Sequence, residues 1–214
     1  MKLSDKTIAV LKNFSQINTG VVLNAGSLQK TISADKSILA EAVLEDNIPS
    51  QFGIYDLPQF LGNVTTLENP DLIFDDKSVI MNDGQIKLTY YSCSPSLIQT
   101  PPDKKLEMKD KVVDFTLTNT IFQKLLRIAS MNNLPMLTVV GKDGKLSLKT
   151  HENSDTSNIA QLDLADYDGK EFSATFKTEH LKMIPDDYNV QIGPFAIFTN
   201  KNDTLKYYIA IQSK

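Results

Sequence analysis

The chain has few of the residues on which several classes of protein depend. Its 214 residues include one cysteine, Cys93, no tryptophan and two histidines, His151 and His180. A single cysteine cannot form an internal disulfide, which indicates a reducing compartment. Neither histidine has a cysteine or an acid at metal-ligand spacing, so we expect no metal and no cofactor. No run reaches the roughly eighteen apolar residues of a membrane span, and the N-terminal MKLSDK lacks the apolar core of a signal peptide. We therefore expect an intracellular protein that does not enter a membrane.

Acidic residues are absent from two long segments. The chain has 26 acids and a formal net charge of −4, yet residues 6–34 and 115–142 contain no Asp or Glu. The net charge by itself argues against a nucleic-acid partner, whereas the placement of the acids indicates an anionic partner along these two segments. A neutral polar face turned to water is the alternative interpretation, because basic residues are no denser in these segments than elsewhere.

Each acid-free segment contains most of an amphipathic helix, and the two helices repeat each other. Residues 3–18 read LSDKTIAVLKNFSQIN and residues 117–132 read LTNTIFQKLLRIASMN. Ser4 and Thr118 are the predicted N-caps, because a hydroxyl there accepts a free backbone N–H. Apolar residues recur at helical spacing and are predicted to face inward. They are Ile8, Leu11, Phe14, Phe122, Leu125, Ile128 and Ala129. The polar residues opposite them are predicted to face outward: Lys6, Lys12, Asn13, Gln16, Gln123, Lys124, Arg127 and Ser130.

The order of elements repeats as well, which predicts two like domains. In each half a long helix, strands, a short helix and further strands follow one another. Asp56 is the predicted cap of the first short helix, and FKTEHLKMIP is predicted to form the second. The strands directly after the first long helix are predicted to form an antiparallel meander. Prolines and alternating charges mark residues 93–111 as a connector between domains at residues 1–92 and 112–214.

The predicted fold class is α+β, with two helices in each domain packed on antiparallel sheets. Small sheets leave unpaired N–H and C=O groups at their edge strands, and these groups favour pairing with another unit. If sheets continue from unit to unit and the curve closes, the product is a ring of several chains with helices on one surface.

Three stretches resemble the sliding clamps of T-even type tailed phages, the processivity factors of their DNA polymerase. These stretches are MKLSDKTIAVLKNFSQINTGVVL, YDLPQFL and LADYDG, and the likeness extends over essentially the whole chain. The resemblance implies a duplicated DNA-clamp fold and a homotrimeric ring around duplex DNA, bound without sequence specificity. It also implies a clamp loader that opens the ring, a DNA polymerase held on its template, and the cytoplasm of an infected host cell.

The resemblance further implies that the helices line the hole of the ring, so that their cations face DNA phosphates. The predicted DNA-facing residues are Lys6, Lys12, Lys124, Arg127, Lys177 and Lys182. One departure concerns the first short helix, because residues 37–76 contain no lysine or arginine and leave it only Gln59 and Asn63.

Clamps of this family bind partner peptides in an apolar pocket beneath the connector, and four connector residues are candidates for that role. They are Leu97, Ile98, Pro101 and Pro102. The alternative is that these apolar residues only fix the connector to its own domains.

No group of residues combines a nucleophile, a base and an oxyanion donor, so we predict that the chain is not an enzyme. The first hypothesis is a sliding clamp that encircles duplex DNA and tethers the replicative polymerase. The alternative is a duplicated oligomeric adaptor or structural protein that does not encircle DNA. The acid-free helices favour the first hypothesis, whereas the acidic net charge and the uncharged short helix favour the second.

Overall fold

The computed structural model describes residues 1–102, 104, 106–152 and 158–212. Positions 103 and 105 of the predicted connector, and positions 153–157 and 213–214 of the second predicted domain, lie outside the described residues. The chain divides into two compact units, Met1–Lys104 and Lys105–Lys214. This division falls inside the segment predicted as the connector.

The first unit combines two helices with short antiparallel strands. Its elements are α1 Asp5–Ile17, β1 Val21–Leu23, β2 Gly26–Ile32, β3 Ile38–Ile48, β4 Phe52–Ile54, α2 Leu57–Thr66, β5 Asp71–Phe74, β6 Ser78–Asn82 and β7 Lys87–Tyr91. Strand β2 pairs with β3, β1 pairs with β4, and β5, β6 and β7 form a three-stranded sheet in that order. A 3-10 turn, Pro95–Leu97, follows these strands.

The second unit has one α-helix among its described residues. Its elements are β8 Val113–Leu117, α3 Asn119–Met131, β9 Met136–Lys142, β10 Lys145–His151, β11 Ala160–Asp166, β12 Phe172–Lys177, β13 Tyr188–Ile192, β14 Phe195–Asn200 and β15 Leu205–Ala210. Two antiparallel groups of strands result, one in the order β11-β10-β9-β12 and the other in the order β15-β14-β13-β8. Helix α3 packs on β10 and β11.

The two predicted long helices are confirmed, and their apolar residues explain where they lie. Leu11 and Phe14 of α1 are fully buried, and Phe122, Leu125 and Ala129 of α3 are buried as well. Helix α1 packs against both β3 and α2. Because it is covered on two sides, α1 buries a wider sector than one apolar stripe. The prediction that Asn13 faces outward is therefore wrong, since this side chain is buried.

The predicted meander after α1 is confirmed only in part: β2 pairs antiparallel with β3, but β1 pairs with β4 and not with β2. The chain leaves β1 through a turn in which Gly26 adopts a φ of +98°, a conformation that favours glycine. The buried amide of Gln29 satisfies the backbone of this turn: its Oε1 accepts from Asn24 N at 2.7 Å, and its Nε2 donates to Asn24 O at 2.8 Å. Backbone groups of this turn are thus hydrogen-bonded to the Gln29 side chain, and not to the backbone of a neighbouring strand as in a meander.

The predicted short helix of the second unit is also wrong, because only a 3-10 turn, Thr178–His180, forms there. Sixteen residues separate β4 from β5 and hold α2, whereas ten residues separate β12 from β13. The carboxylate of Asp56 caps α2 by accepting from Gln59 N at 2.8 Å. Lys177 occupies the corresponding position before the 3-10 turn, and a lysine side chain has no acceptor with which to cap a helix.

Candidate nucleic-acid interface

Two cations predicted to face DNA lie on α1, and their surroundings differ. Lys6 is exposed, and its Nζ forms an ion pair and hydrogen bond with Glu45 of β3. This interaction raises the pKa of Lys6, first through the hydrogen bond and then through the charge of Glu45. Lys12, two turns further along α1, is exposed and has no carboxylate partner among the described residues. Lys12 is therefore the cation on this helix whose charge is not compensated by a described carboxylate.

Helix α3 presents two cations on one exposed face. Lys124 and Arg127 are three residues apart, which places them on neighbouring turns of the same side of the helix. Neither forms an ion pair with a described carboxylate. In the repeat they correspond to Val10, which is half-buried, and Asn13, which is buried. The internal repeat therefore conserves the helix but does not place the cations at equivalent positions.

Acids from other elements lie at the first turn of both long helices. The carboxylate of Asp46 accepts from Ser4 N at 2.7 Å, and that of Asp187 accepts from Asn119 N at 2.7 Å. Lys201 lies 2.7 Å from Asp187 and lowers the pKa of that carboxyl, with the Asn119 hydrogen bond as the next cause. Carboxylates thus lie at the positive ends of the helices, where that of Asp187 is paired with Lys201, and the unpaired cations lie in the later turns.

Helix α2 offers no charge to an anionic ligand. Leu57, Phe60, Leu61 and Val64 are buried, and Gln59 is exposed. Since residues 37–76 have no lysine or arginine, any contact of α2 with a phosphate would rest on polar groups.

The structure places the remaining two predicted cations outside any helix. Lys177 ends β12, is half-buried and lies 3.4 Å from the carboxylate of Glu179. Lys182 is exposed in the irregular segment that follows the 3-10 turn. The helix that was expected to carry them is absent, so the reason for predicting these two residues no longer applies.

A cleft of about 450 Å³ lies in the first unit beside the first half of the predicted connector. Its lining includes Pro101 and Pro102, together with residues of β1, of β2 and of the segments between strands: Gly20, Val21, Val22, Asn24, Lys30, Thr31, Gln51, Pro95, Gln99 and Thr100. Lys30 is paired with Glu41 at 2.8 Å. Backbone and polar groups thus supply much of the cleft wall.

The other two predicted peptide-binding residues do not line this cleft. Leu97 is 66% exposed, whereas Ile98 is 8% exposed and packs against Gly20. The next residue is tied to the same unit, because Asn18 Nδ2 donates to Gln99 O at 3.2 Å and Gln99 Nε2 donates to Ser33 O at 3.3 Å. For Ile98 the structure supports the alternative, in which an apolar side chain fixes the segment to its own unit.

Sequence reasoning missed the residue that most changes the interface, Glu45. Residues 6–34 lack acids along the chain, but β3 brings Glu45 and Asp46 against the first turn of α1 in space. Nothing in the local pattern could reveal this contact, because it depends on how a strand about forty residues away packs on the helix.

The described part of the chain shows neither a metal cluster nor a membrane helix. Within those residues, no three His, Cys, Asp or Glu side chains are grouped as metal ligands would be. None of the helices found there is long and apolar enough to cross a membrane.

The comparisons with known proteins decide the family. Residues 2–90 match the family described as DNA polymerase processivity factor. The whole chain is 31% identical to the sliding clamp of Vibrio phage KVP40, and the alignment covers 100% of both proteins. The chain belongs to the phage sliding-clamp family. The sliding clamp of Escherichia phage RB69 is 28% identical, over 100% of this chain and 97% of that protein.

The same architecture occurs in solved structures of cellular clamps. In the PCNA2–PCNA3 complex of Sulfolobus tokodaii, one chain matches this phage-type sliding clamp with a TM-score of 0.71 and 15% identity, and the match covers 100% of each. At that identity the likeness shows the fold alone. The predicted duplicated clamp fold, the resemblance to T-even type phage clamps and the function of a processivity factor are thus confirmed.

Proposed function

We propose that this chain forms a homotrimeric ring that encircles duplex DNA and tethers the replicative DNA polymerase. A clamp loader opens the ring, and the protein acts in the cytoplasm of an infected host cell without catalysing a reaction itself. The observation that carries the proposal is the set of unpaired cations on the long helices of a chain that matches phage clamps over its full length.

The proposed DNA contact uses Lys12, Lys124 and Arg127. Each is exposed on a helix and lacks a described carboxylate partner. Cations of this kind attract phosphates without reading the bases, and their contacts break and re-form easily. A clamp that slides needs this combination of attraction and lability. Lys6, Lys177 and Lys182 remain predictions with weaker support, since Lys6 and Lys177 lie beside Glu45 and Glu179.

The proposed ring contacts use the sheet edges formed by β7 in one subunit and β11 in the next. Each strand lies at the edge of its sheet, and among the described residues neither receives a backbone hydrogen bond on its outer side. The opposite edges are partly covered: Met1 exchanges two hydrogen bonds with Leu72 of β5, and Gln212 N donates to Thr175 of β12.

Side chains on these two edges complement each other. Tyr91 of β7 is 74% exposed, and Leu162 of β11 is exposed as well. Lys87 is exposed on β7, and Asp163 is exposed on β11. Open backbone groups, exposed apolar side chains and opposite charges favour pairing of the two edges. One such contact per neighbour closes a cyclic assembly.

The proposed partner site is the cleft beside Pro101 and Pro102. Peptides that dock in such clefts combine side-chain pockets with backbone hydrogen bonds. Both prolines line the cleft, whereas Ile98 is buried in the core of the first unit.

The experiment that tests the DNA-facing assignment is a charge reversal with a matched control. We expect Lys124→Glu/Arg127→Glu to abolish clamp-dependent processive synthesis on primed circular DNA while leaving trimer formation intact. The control, Lys142→Glu/Lys170→Glu, makes the same change in net charge at two exposed positions of the same unit outside α3. Equal processivity of the two double variants would contradict the assignment, and it would favour an oligomeric adaptor that does not encircle DNA.

A further inference from the structure

The two ends of α1 differ in charge once the fold is formed. At its first turn, the exposed Asp5 is joined by Glu45 and Asp46 from β3. Beyond Lys6 the helix has no acid, and Lys12 stands without a described carboxylate partner. The positive charge of this helix is therefore neutralised by acids at its first turn, whereas that of Lys12 is not neutralised by a described carboxylate.

Lys6 and Glu45 form a pair that is accessible to solvent and to any ligand on this face. Their side chains are 80% and 48% exposed, and the ammonium and carboxylate are in direct contact. An exposed ion pair of this kind contributes little to stability. The effect of the ion pair on a nearby phosphate does not depend on how much the pair stabilises the fold. The carboxylate repels the phosphate about as much as the ammonium attracts it.

We propose that Glu45 limits the affinity of the clamp for DNA by cancelling the charge of Lys6. This inference rests on the proposed function, since it assumes that the exposed face of α1 lies along DNA. Glu45 makes no contact with the DNA, and its charge offsets the attraction of the neighbouring Lys6 for a phosphate. Lys12, Lys124 and Arg127 contact the phosphates, whereas Lys6 remains paired with the carboxylate of Glu45.

The release of counterions from DNA determines how the removal of Glu45 should change the salt dependence of binding. Each phosphate that a protein neutralises steepens the dependence of log affinity on log salt by about 0.9 for duplex DNA. A neutral Lys6–Glu45 pair releases no counterion, so it adds nothing to that slope. Freed from Glu45, Lys6 can neutralise a phosphate. A weaker grip suits a clamp, because every additional firm contact slows its movement along the duplex.

The test compares Glu45→Gln with Glu41→Gln. Both substitutions remove one negative charge from β3, but Glu41 pairs with Lys30 of β2 and not with a residue of α1. Binding of each variant to a short fluorescein-labelled duplex of mixed sequence is measured by anisotropy over a salt series. We expect Glu45→Gln to bind more tightly than the unchanged protein at low salt. Between about 50 and about 200 mM NaCl it should lose roughly three- to fourfold more affinity for each phosphate that Lys6 gains.

A double substitution separates the role of Lys6 from a general effect of charge. Lys6→Gln/Glu45→Gln should bind like the unchanged protein, because both members of the neutral pair are gone. Lys6→Gln alone should weaken binding, because it leaves the charge of Glu45 without its partner. Equal tightening by Glu41→Gln, or a double variant that binds as tightly as Glu45→Gln, would overturn the proposal. Failure of the proposed function gives another result, in which Lys12→Gln and Lys124→Gln also leave the affinity unchanged.

Discussion

The carboxylate of Asp46 accepts a hydrogen bond of 2.7 Å from the backbone N–H of Ser4, and so joins β3 to the start of α1. The Ser4 hydroxyl in turn accepts from Thr7 N at 3.2 Å and closes the first turn. Partial burial acts to raise the pKa of Asp46. The hydrogen bond from the Ser4 N–H, together with the nearby hydroxyls of Thr7 and Ser4, outweighs it and lowers that pKa.

Asp46→Asn should therefore make the stability of the first unit less dependent on pH in the acid range. The folded pKa of Asp46 lies below the unfolded value of 3.8, so the stabilisation is complete above pH 3.8 and is lost as the pH falls through the folded pKa. At neutral pH the variant should lose roughly 0.3 to 1 kcal/mol, the range for a negative charge at an exposed helix N-terminus. Urea denaturation at neutral pH and well below pH 3.8, where the carboxyl is protonated in both states, tests this, and a difference that persists there would contradict the assignment.

Two glycines of the first unit should respond oppositely to alanine. A Cβ on Gly53 would lie 2.3 Å from the carbonyl oxygen of Cys93, and the strand and the connector would have to separate. We expect Gly53→Ala to lower the free energy of unfolding by about 1 to 3 kcal/mol. A Cβ on Gly62 of α2 would have no atom within 4 Å. We therefore expect Gly62→Ala to raise the free energy of unfolding by about 0.5 to 1 kcal/mol.

Urea denaturation of both glycine variants provides the measurement. Each variant serves as the control for the other, because the same methyl group is added. Equal stability of the two would mean that the close approach of Gly53 to Cys93 does not occur in solution.

How much of this molecule was predictable follows from the range over which each signal acts. The periodicity that places Leu11 and Phe122 inward is local, so both long helices could be predicted from the sequence. The pairing of β1 with β4 depends on register between segments about thirty residues apart, which no local pattern specifies. The second short helix was predicted from likeness to the first, although its segment has six residues fewer and no capping acceptor.

The same limit applies to the candidate interface. Lys12, Lys124 and Arg127 could be chosen from the sequence because helical spacing alone puts them on exposed faces. The neutralisation of Lys6 could not, because Glu45 approaches it through tertiary packing of β3 on α1.

Among the connector residues, we expect Ile98 to contribute to stability, and Pro101 and Pro102 to contribute to partner binding. Ile98→Ala should lower the free energy of unfolding by about 2 to 5 kcal/mol, because a buried side chain is truncated beside Gly20. Pro101→Ser/Pro102→Ser should leave the unfolding midpoint nearly unchanged and weaken clamp-dependent synthesis by the cognate polymerase. Primer extension and urea denaturation of the same samples separate the two effects. Loss of stability in the proline variant, with normal synthesis, would mean that the cleft is not the partner site.

The strand edges make a prediction about assembly. Tyr91→Glu on β7 or Leu162→Glu on β11 should give monomers at concentrations at which the unchanged chain associates, because a buried unpaired charge disfavours edge pairing. Ile86→Glu changes an apolar residue in the turn before β7 whose exposure, 57%, lies between those of Leu162 and Tyr91, and it should leave the assembly intact. Size-exclusion chromatography distinguishes these outcomes, and an effect of Ile86→Glu alone would place the interface elsewhere.

The most direct test of the central claim is the mass of the unchanged chain in solution, measured by light scattering over a dilution series. One chain has a mass of 23.9 kDa, so the ring predicts a species of about 72 kDa that persists at high concentration even if it dissociates on dilution. A strict monomer at every concentration would contradict the homotrimeric ring.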